Sequence, residues 1–352
     1  MTGGGGGDVL ARARSQCLAG GVRCTGAEEV AERVFAVQAQ DLDAAALGLR
    51  ARSYGLTRTA VRAALEERRT LFRGWFMRGT LQLVPAADAH WLLALYGPRL
   101  CSRARRRYRD LGLDEALRER AERVVADAVA AHGPLTRAEL TERLARVGVA
   151  PDGQAPVHVI RGAALAGLVC HGPLRAGEPT YVALRDWLPP PAGPQPAGDA
   201  AVGELVRRYL RGYGPAGPDD FAAWSGLPAG AARRVWPEAA PPAAYAPPGP
   251  GAAPPGPGAA PPAADVRLLP AYDNYWLGWR DRDAAIPRAF VRSVRPGGGQ
   301  IRAAVTVDGC AVGTWTRRSR GNVQVSTFAE GPDRVPADVT AEAADVARFL
   351  QS

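Results

Sequence analysis

Lysine is missing from the chain: all 44 of its basic residues are arginine. Without an ε-amine, chemistry through a lysine Schiff base is excluded, and so is the lysine of a phosphate-cradling P-loop. No G-x-S-x-G elbow marks a serine nucleophile. The five cysteines, Cys17, Cys24, Cys101, Cys170 and Cys310, are scattered rather than set in the close pairs of zinc sites, and read as reduced structural thiols. The four histidines, His90, His132, His158 and His171, are equally dispersed. No metal and no cofactor are expected. Also absent is any run of about 18 apolar residues, and the opening MTGGGGGDVLARARSQ has no apolar stretch behind its charges. The expectation is a cytoplasmic protein with no membrane partner.

What is present is a 352-residue chain, 47% hydrophobic, with a formal charge of +9. That length suits two to four compact units. The abundance of Arg, Ala, Gly and Pro reflects GC-rich coding in part, yet arginine forks still suit phosphate, and excess positive charge favours a polyanion, most commonly nucleic acid. Three low-complexity stretches punctuate the chain: the initial glycines, LPPPAGPQPAG near 188–198, and the Pro/Ala/Gly-rich 238–264, which reads as a tether or surface loop.

Around them lie repeated modules. In GPLTRAELTERLARVGV, Thr136 and Glu139 predict a capping box ahead of Leu140 and Leu144; QAPVHVIRGAALAGL predicts a second helix, and LVCHGPL, RAGEP and TYVAL a strand, turn and strand. Helix, turn, helix and hairpin make a winged helix. YGPAGPDDFAAWSGLPAGAARRVW repeats the theme around Ser225 and Gly226. Upstream, Thr25 and Glu28 predict another capping box before Val30, Val34 and Val37 at helical spacing; a helix from about Arg58 and the alternating TLFRGWFMRGTLQLV follow. In the tail, IRAAVTVDGCAVGTW alternates across an Asp308-Gly309 turn, VQVSTF is a further strand, and 338–350 a closing helix. The expected fold is α+β: winged helices over 8–112, 113–190 and 199–265, then a β-rich, barrel-like unit over 266–352.

Three clusters carry possible chemistry. Arg103, Arg105, Arg106, Arg107 and Arg109 crowd one tract beside Tyr108, either as a solvated helix face or as phosphate contacts; Arg161, Arg233 and Arg234 sit on the second helices. Gln38 and Gln40 stand two apart where a helix must end. On a continuous helix they face opposite ways, whereas extended backbone points both one way, where two amides could hold a water or read a base edge. They are equally natural surface or capping residues, and Asp41 and Asp43 are natural caps for the next helix. Last, LLPAYDNYWLGWRDRD reads as an aromatic core strand with a polar rim, or as a surface that stacks a displaced base.

Taken together, VQAQDLDAAALGLRAR, WFMRGTLQLVP, LTRAELTERLARVGV, LVCHGPL with EPTYVALRDWLP, and LLPAYDNYWLGWRDRD followed by VDGCAVGTW resemble the AlkZ-like DNA glycosylases, tandem winged-helix proteins related to YcaQ. The resemblance spans nearly the whole chain. It implies three winged helices in a concave, DNA-holding body, excision of N-alkylated purines from duplex DNA and, in some members, unhooking of interstrand crosslinks. Its Gln-x-Gln signature falls on Gln38 and Gln40, which would place a water with electrostatic help from Asp41. Arg78, Gln82, Arg103, Arg105, Arg106, Arg107 and Arg161 are the expected DNA contacts of a monomeric enzyme without cofactor. Two departures stand out: Gln82 replaces a histidine common in the family, and Tyr272, Asp273, Asn274 and Tyr275 stand where F-D-E-Y is frequent. They bear on efficiency and substrate choice more than on fold. Two other classes stay open: a non-catalytic DNA-binding regulator, and an interaction scaffold.

Overall fold

A computed structural model describes residues 5–240, 264–318, 322–328 and 336–352. The chain divides into two units, one built from residues 1–62 and 202–352, the other from the intervening 63–201. The first division falls inside the first expected module. Among the described residues no helix is long and apolar enough to cross a membrane.

The first unit opens with α1 (Gly5–Ser15) and α2 (Ala27–Arg33). α2 starts one residue later than the expected capping box requires: Gly26 is its N-cap, and Thr25 donates from both N and Oγ1 to Glu29 (2.7 and 2.9 Å), not to Glu28. The helix also ends sooner than the valine spacing suggests: its C-cap Val34 leaves the helical region at ψ 74, and Ala36 follows at φ +63. Val37 is therefore buried from an extended segment, β1 (Val37–Gln38), that leads into α3 (Leu42–Ala51). α4 (Arg58–Glu66) crosses into the second unit.

There β2 (Leu71–Trp75) and β3 (Leu81–Pro85) form an antiparallel hairpin, followed by α5 (Ala89–Asp110). α6 (Glu115–His132), β4 (Leu135–Thr136), α7 (Arg137–Ala145), α8 (Ala155–Leu165), β5 (Val169–His171) and β6 (Thr180–Ala183) follow, with sheet order β4-β6-β5. The Thr136–Glu139 capping box is present, and its hydrogen bonds together with Arg175 pull the Glu139 carboxyl down to about 2. Leu140 and Leu144 are fully buried with Val125, Val159 and Ile160 in one core. A short α9 (Leu184–Trp187) ends this run.

α10 (Gly198–Tyr213) returns the chain to the first unit, where α11 (Pro218–Ser225) and α12 (Ala229–Ala239) pack as a pair. Their turn works because Gly226 caps α11 at φ +72, a left-handed conformation glycine adopts without steric cost. Most of the Pro/Ala/Gly-rich 238–264 lies outside the described residues. β7 (Val266–Leu269), α13 (Val291–Val294), β8 (Ala304–Val307), β9 (Cys310–Arg317), β10 (Val323–Thr327) and α14 (Pro336–Gln351) complete the unit. Its sheet runs β10-β9-β8-β7, so the expected barrel is an open four-stranded sheet among the described residues. The Asp308-Gly309 turn holds both residues at positive φ (+49 and +86). A Cβ at Gly309 would meet Ala13 Cβ at 2.6 Å and Tyr275 Oη at 2.7 Å, so that turn demands glycine twice over.

The expected aromatic strand is also corrected. After Leu269 the chain turns, Tyr272 takes φ +57, and Asn274–Trp276 form a 3-10 turn capped by the Asp273 carboxylate, which accepts from Tyr275 N at 2.9 Å. Side-chain bonds of this kind compete with strand pairing. Trp276 and Trp279 are buried, and Tyr272 alone among these aromatics is exposed (41%).

In the second unit His171 lies between Trp75 and Tyr181 (ring centroids 5.0 and 5.1 Å), its Nδ1 buried without a partner. Burial, helped by nearby Arg73, pushes the imidazole down to about 3, from 6.5. Between those values the unfolded chain binds a proton that the folded chain refuses. Stability contributed by the neutral ring is thus complete above pH 6.5 and is lost as pH falls, at up to about 1.4 kcal/mol per pH unit. Urea midpoints at pH 7.5 and 5 should drop more steeply for the parent than for His171→Phe; parallel falls would remove His171 from the account.

Candidate functional site

Burial alternates along the Gln-x-Gln segment: Val37 and Ala39 are buried, Gln38 is half-buried and Gln40 exposed. β1 covers Val37–Gln38 and Gln40 lies in the bend that leads into α3, and the alternation leaves both glutamines on the accessible side of the segment. Asp41 closes the segment as N-cap of α3, its Oδ1 accepting from Asp43 N (2.9 Å) and Ala44 N (3.1 Å). The carboxylate therefore stands at the positive end of the helix, beside both glutamines in sequence.

Two side chains distant in sequence, Asn274 and Tyr213, hold this segment. Asn274 accepts from Gln38 N through Oδ1 (2.8 Å) and donates through Nδ2 to Ala36 O (2.8 Å) and to Tyr213 Oη (2.8 Å). Tyr213 in turn donates to Phe35 O (3.3 Å); burial pushes its phenol up to about 12, keeping it a neutral donor. Ala36, between these anchors, is the residue at φ +63, a conformation that costs an alanine roughly 1–2 kcal/mol.

Beneath the segment α3 buries two arginines. Arg52 forms a fork with Asp273 (Nη1–Oδ2 2.9 Å, Nη2–Oδ1 2.6 Å) and also donates to Gln16 Oε1 and Gly48 O, both at 2.9 Å. Burial works to lower the guanidinium's pKa, and the Asp273 charge more than offsets it, so the direction is upward. Gly48 makes room for the fork, since a Cβ there would stand 3.1 Å from Asp273 Oδ2. Arg50 reaches Glu342 (2.7 Å) and Asp345 (2.8 Å) on α14 and Leu268 O (3.2 Å) on β7. Sequence reasoning missed Arg50, Arg52 and Tyr213; Asp273 and Asn274 were noticed as parts of a supposed strand and as a departure from the family pattern, not as the groups that hold this segment.

Gln38, Gln40 and Asp41 lie in the first unit and all seven expected DNA contacts in the second. Arg103, Arg105, Arg106 and Arg107 are exposed on α5, with Arg107 bonded to Gln154 Oε1 (2.6 Å). Arg105 and Arg109 turn toward a cavity of about 590 Å³ that Tyr108 and Arg118 also line. Arg78 sits at φ +55 in the turn between β2 and β3. Gln82 is corrected: it is 2% exposed, and its Nε2 donates to Thr80 Oγ1 (2.6 Å), which leaves no surface for a base. Arg161 is half-buried and donates to Gly79 O (3.4 Å), so it braces the hairpin turn rather than standing free in a groove. Among the described residues no three His, Cys, Asp or Glu side chains converge as a metal site.

A family model described as "DNA glycosylase AlkZ-like" matches residues 31–349. The chain is 28% identical over 357 residues to an interstrand DNA cross-link repair glycosylase of Streptomyces sahachiroi, covering 92% of this chain and 90% of that one. Its fold is similar to that of the Streptomyces sahachiroi DNA glycosylase AlkZ, with a TM-score of 0.76 and 24% identity over 97% of this chain and 95% of that one.

Removing one partner of a buried ion pair strands the other charge, at a cost of about 3–5 kcal/mol. Asp273→Asn should destabilise the protein by that amount in urea unfolding. Arg52→Met combined with Asp273→Leu should cost well under the sum of the single changes. An Asp273→Asn loss below about 1 kcal/mol would show that the fork does not carry the load assigned to it.

Proposed function

The chain belongs to the AlkZ-like DNA glycosylase family, and on that premise we propose that it excises N-alkylated purines, including bulky or crosslinked adducts, from duplex DNA by hydrolysis of the N-glycosidic bond. The observation that carries this reading is the common accessible side of Gln38 and Gln40, the one in β1 and the other in the bend directly ahead of α3. An N7-alkylated purine is already a cationic leaving group. Its bond to C1′ breaks with the electron pair passing to the base, which becomes neutral, while a cation-like sugar develops. Water adds its oxygen to C1′ and releases a proton. Uncharged amides can orient that water without needing to be strong bases. The Asp41 carboxylate, whose Oδ1 caps α3, offsets the positive helix end and stabilises the sugar's developing charge.

Binding falls to the basic residues of the second unit. Arg78, Arg103, Arg105, Arg106 and Arg107 supply phosphate contacts, with Arg161 bracing the turn that carries Arg78. We read α6 to β6, in the order helix, strand, helix, helix, strand, strand, as the winged helix of 113–190; α10–α12 and the chain up to 112 supply the other two.

Gln38→Ala or Gln40→Ala should slow base release from an N7-methylguanine duplex by about a hundredfold or more, with little change in DNA affinity, and Asp41→Asn should slow it less. Unchanged release in both glutamine variants refutes the assignment.

The absence of lysine generates a separate expectation. Strand cleavage by the imine route needs an amine at C1′; no side chain supplies one, and an N-terminal amine ahead of a glycine run would cost considerable ordering entropy to hold at a reactive angle, so the abasic strand should remain intact until alkali is added. Borohydride trapping that yields a covalent protein–DNA adduct, or strand breaks without alkali at the rate of base release, would overturn the monofunctional reading.

A further inference from the structure

We propose that Asn274 is the positioning residue of the reaction: its amide, backed by Tyr213, fixes the backbone of residues 36–38 and thereby aims the Gln38 side chain. The proposal rests on the reading of Gln38 as a water-placing group. Asn274 itself is 5% exposed and touches no substrate; it acts through Gln38.

The geometry makes the amide specific. Oδ1 must accept, because it faces Gln38 N, and Nδ2 must donate, because it faces Ala36 O as well as Tyr213 Oη. One terminal group thus satisfies a backbone donor and a backbone acceptor two residues apart, as a neighbouring strand would. The positive-φ Ala36, which has no glycine freedom to relieve it, lies between the Phe35 carbonyl that accepts from Tyr213 and the Ala36 carbonyl and Gln38 N that Asn274 holds. Without the clamp, Ala36 relaxes to negative φ, and the segment that carries Gln38 turns relative to the N-terminal end of α3, at which Asp41 and Gln40 stand. The clamp is itself anchored. Asn274 opens the 3-10 turn that Asp273 caps, and Asp273 is forked to Arg52. Tyr213 stacks on Tyr209 (5.0 Å, 11°) and accepts through its carbonyl from Trp279 Nε1 (2.9 Å).

Asn274→Asp separates aiming from folding. It keeps the shape and the acceptor, but when ionised it turns an oxygen toward the Ala36 carbonyl; when protonated it regains one donor, which can serve that carbonyl. The groups around it are Tyr213 on α10, pushed up by burial to about 12, Arg208 on the same helix over the Phe35 ring, the Arg52–Asp273 fork, and Tyr275, whose phenol burial also raises. Burial will raise the pKa of the introduced carboxyl as well. Single-turnover excision of N7-methylguanine should be nearly flat for the parent between pH 6 and 8.5. For Asn274→Asp it should be about a hundredfold slow at pH 8.5 and climb toward the parent on acidification. Hydrogen exchange at the Gln38 amide, which does not depend on activity, should be protected in the parent and fast in Asn274→Leu. A variant as fast as the parent at every pH overturns the proposal, and so does a Gln38 amide that stays protected in Asn274→Leu. If the parent releases no base, the functional reading fails, and amide exchange alone then decides whether Asn274 holds the segment.

Discussion

The structure of the first unit depends on the burial of two guanidinium groups on one short helix. Arg50 and Arg52 are 0% and 1% exposed and lie two residues apart, so they leave α3 in different directions. Arg50 goes to α14 and β7, and Arg52 to Asp273 and Gln16. Each charge would be ruinous in the interior alone, and each is tolerable only because carboxylates and carbonyls surround it. Such pairs add little net stability, but their geometry is unforgiving. α3 can occupy one position, and Asp41 and the glutamines at its N-terminal end are carried with it.

From that constraint a line of contacts runs to the amide pair. Arg52 fixes Asp273, Asp273 caps the turn that begins at Asn274, and Asn274 holds Ala36 and Gln38. The steps through Arg52, Asp273 and Ala36 are hydrogen bonds between buried groups, and the last, to Gln38 N, is part-buried. The design suits a reaction whose leaving group supplies its own driving force, because the protein then needs aim more than acid or base strength. It also suits a chain with no lysine and with no His or carboxylate cluster that could supply a metal among the described residues.

Much of this was legible in the amino-acid sequence wherever the signal was local. The Thr136–Glu139 capping box, the α7 and α8 helices, the hairpin after them and the Asp308-Gly309 turn all follow from neighbouring residues, and all are present. An extended setting of Gln38 and Gln40 was one of two local alternatives; Gln38 lies in β1, and Ala39 is buried between the two more accessible glutamines, with Gln40 in the bend before α3. What was not legible was tertiary. Val37 had the right spacing for a helix that already ends at Val34, and the aromatic run after Leu269 had strand composition but was diverted by Asp273. Gln82 looked like a surface donor because its burial is set by packing although its partner Thr80 is only two residues away, and Arg161 because the Gly79 carbonyl it meets lies 82 positions off. Gln38 meets Asn274 across 236 positions, a pairing no local pattern encodes.

The central claim is that a pair of neutral amides suffices because the departing base is already cationic. Single-turnover release from a duplex carrying N7-methylguanine should be set against release from the same duplex carrying 7-deaza-7-methylguanine, which has the same shape without the charge. The account predicts that both duplexes bind comparably and that only the cationic base is released. Release of the neutral base at a similar rate would contradict it, because the site would then have to supply acid catalysis that Gln38 and Gln40 cannot provide.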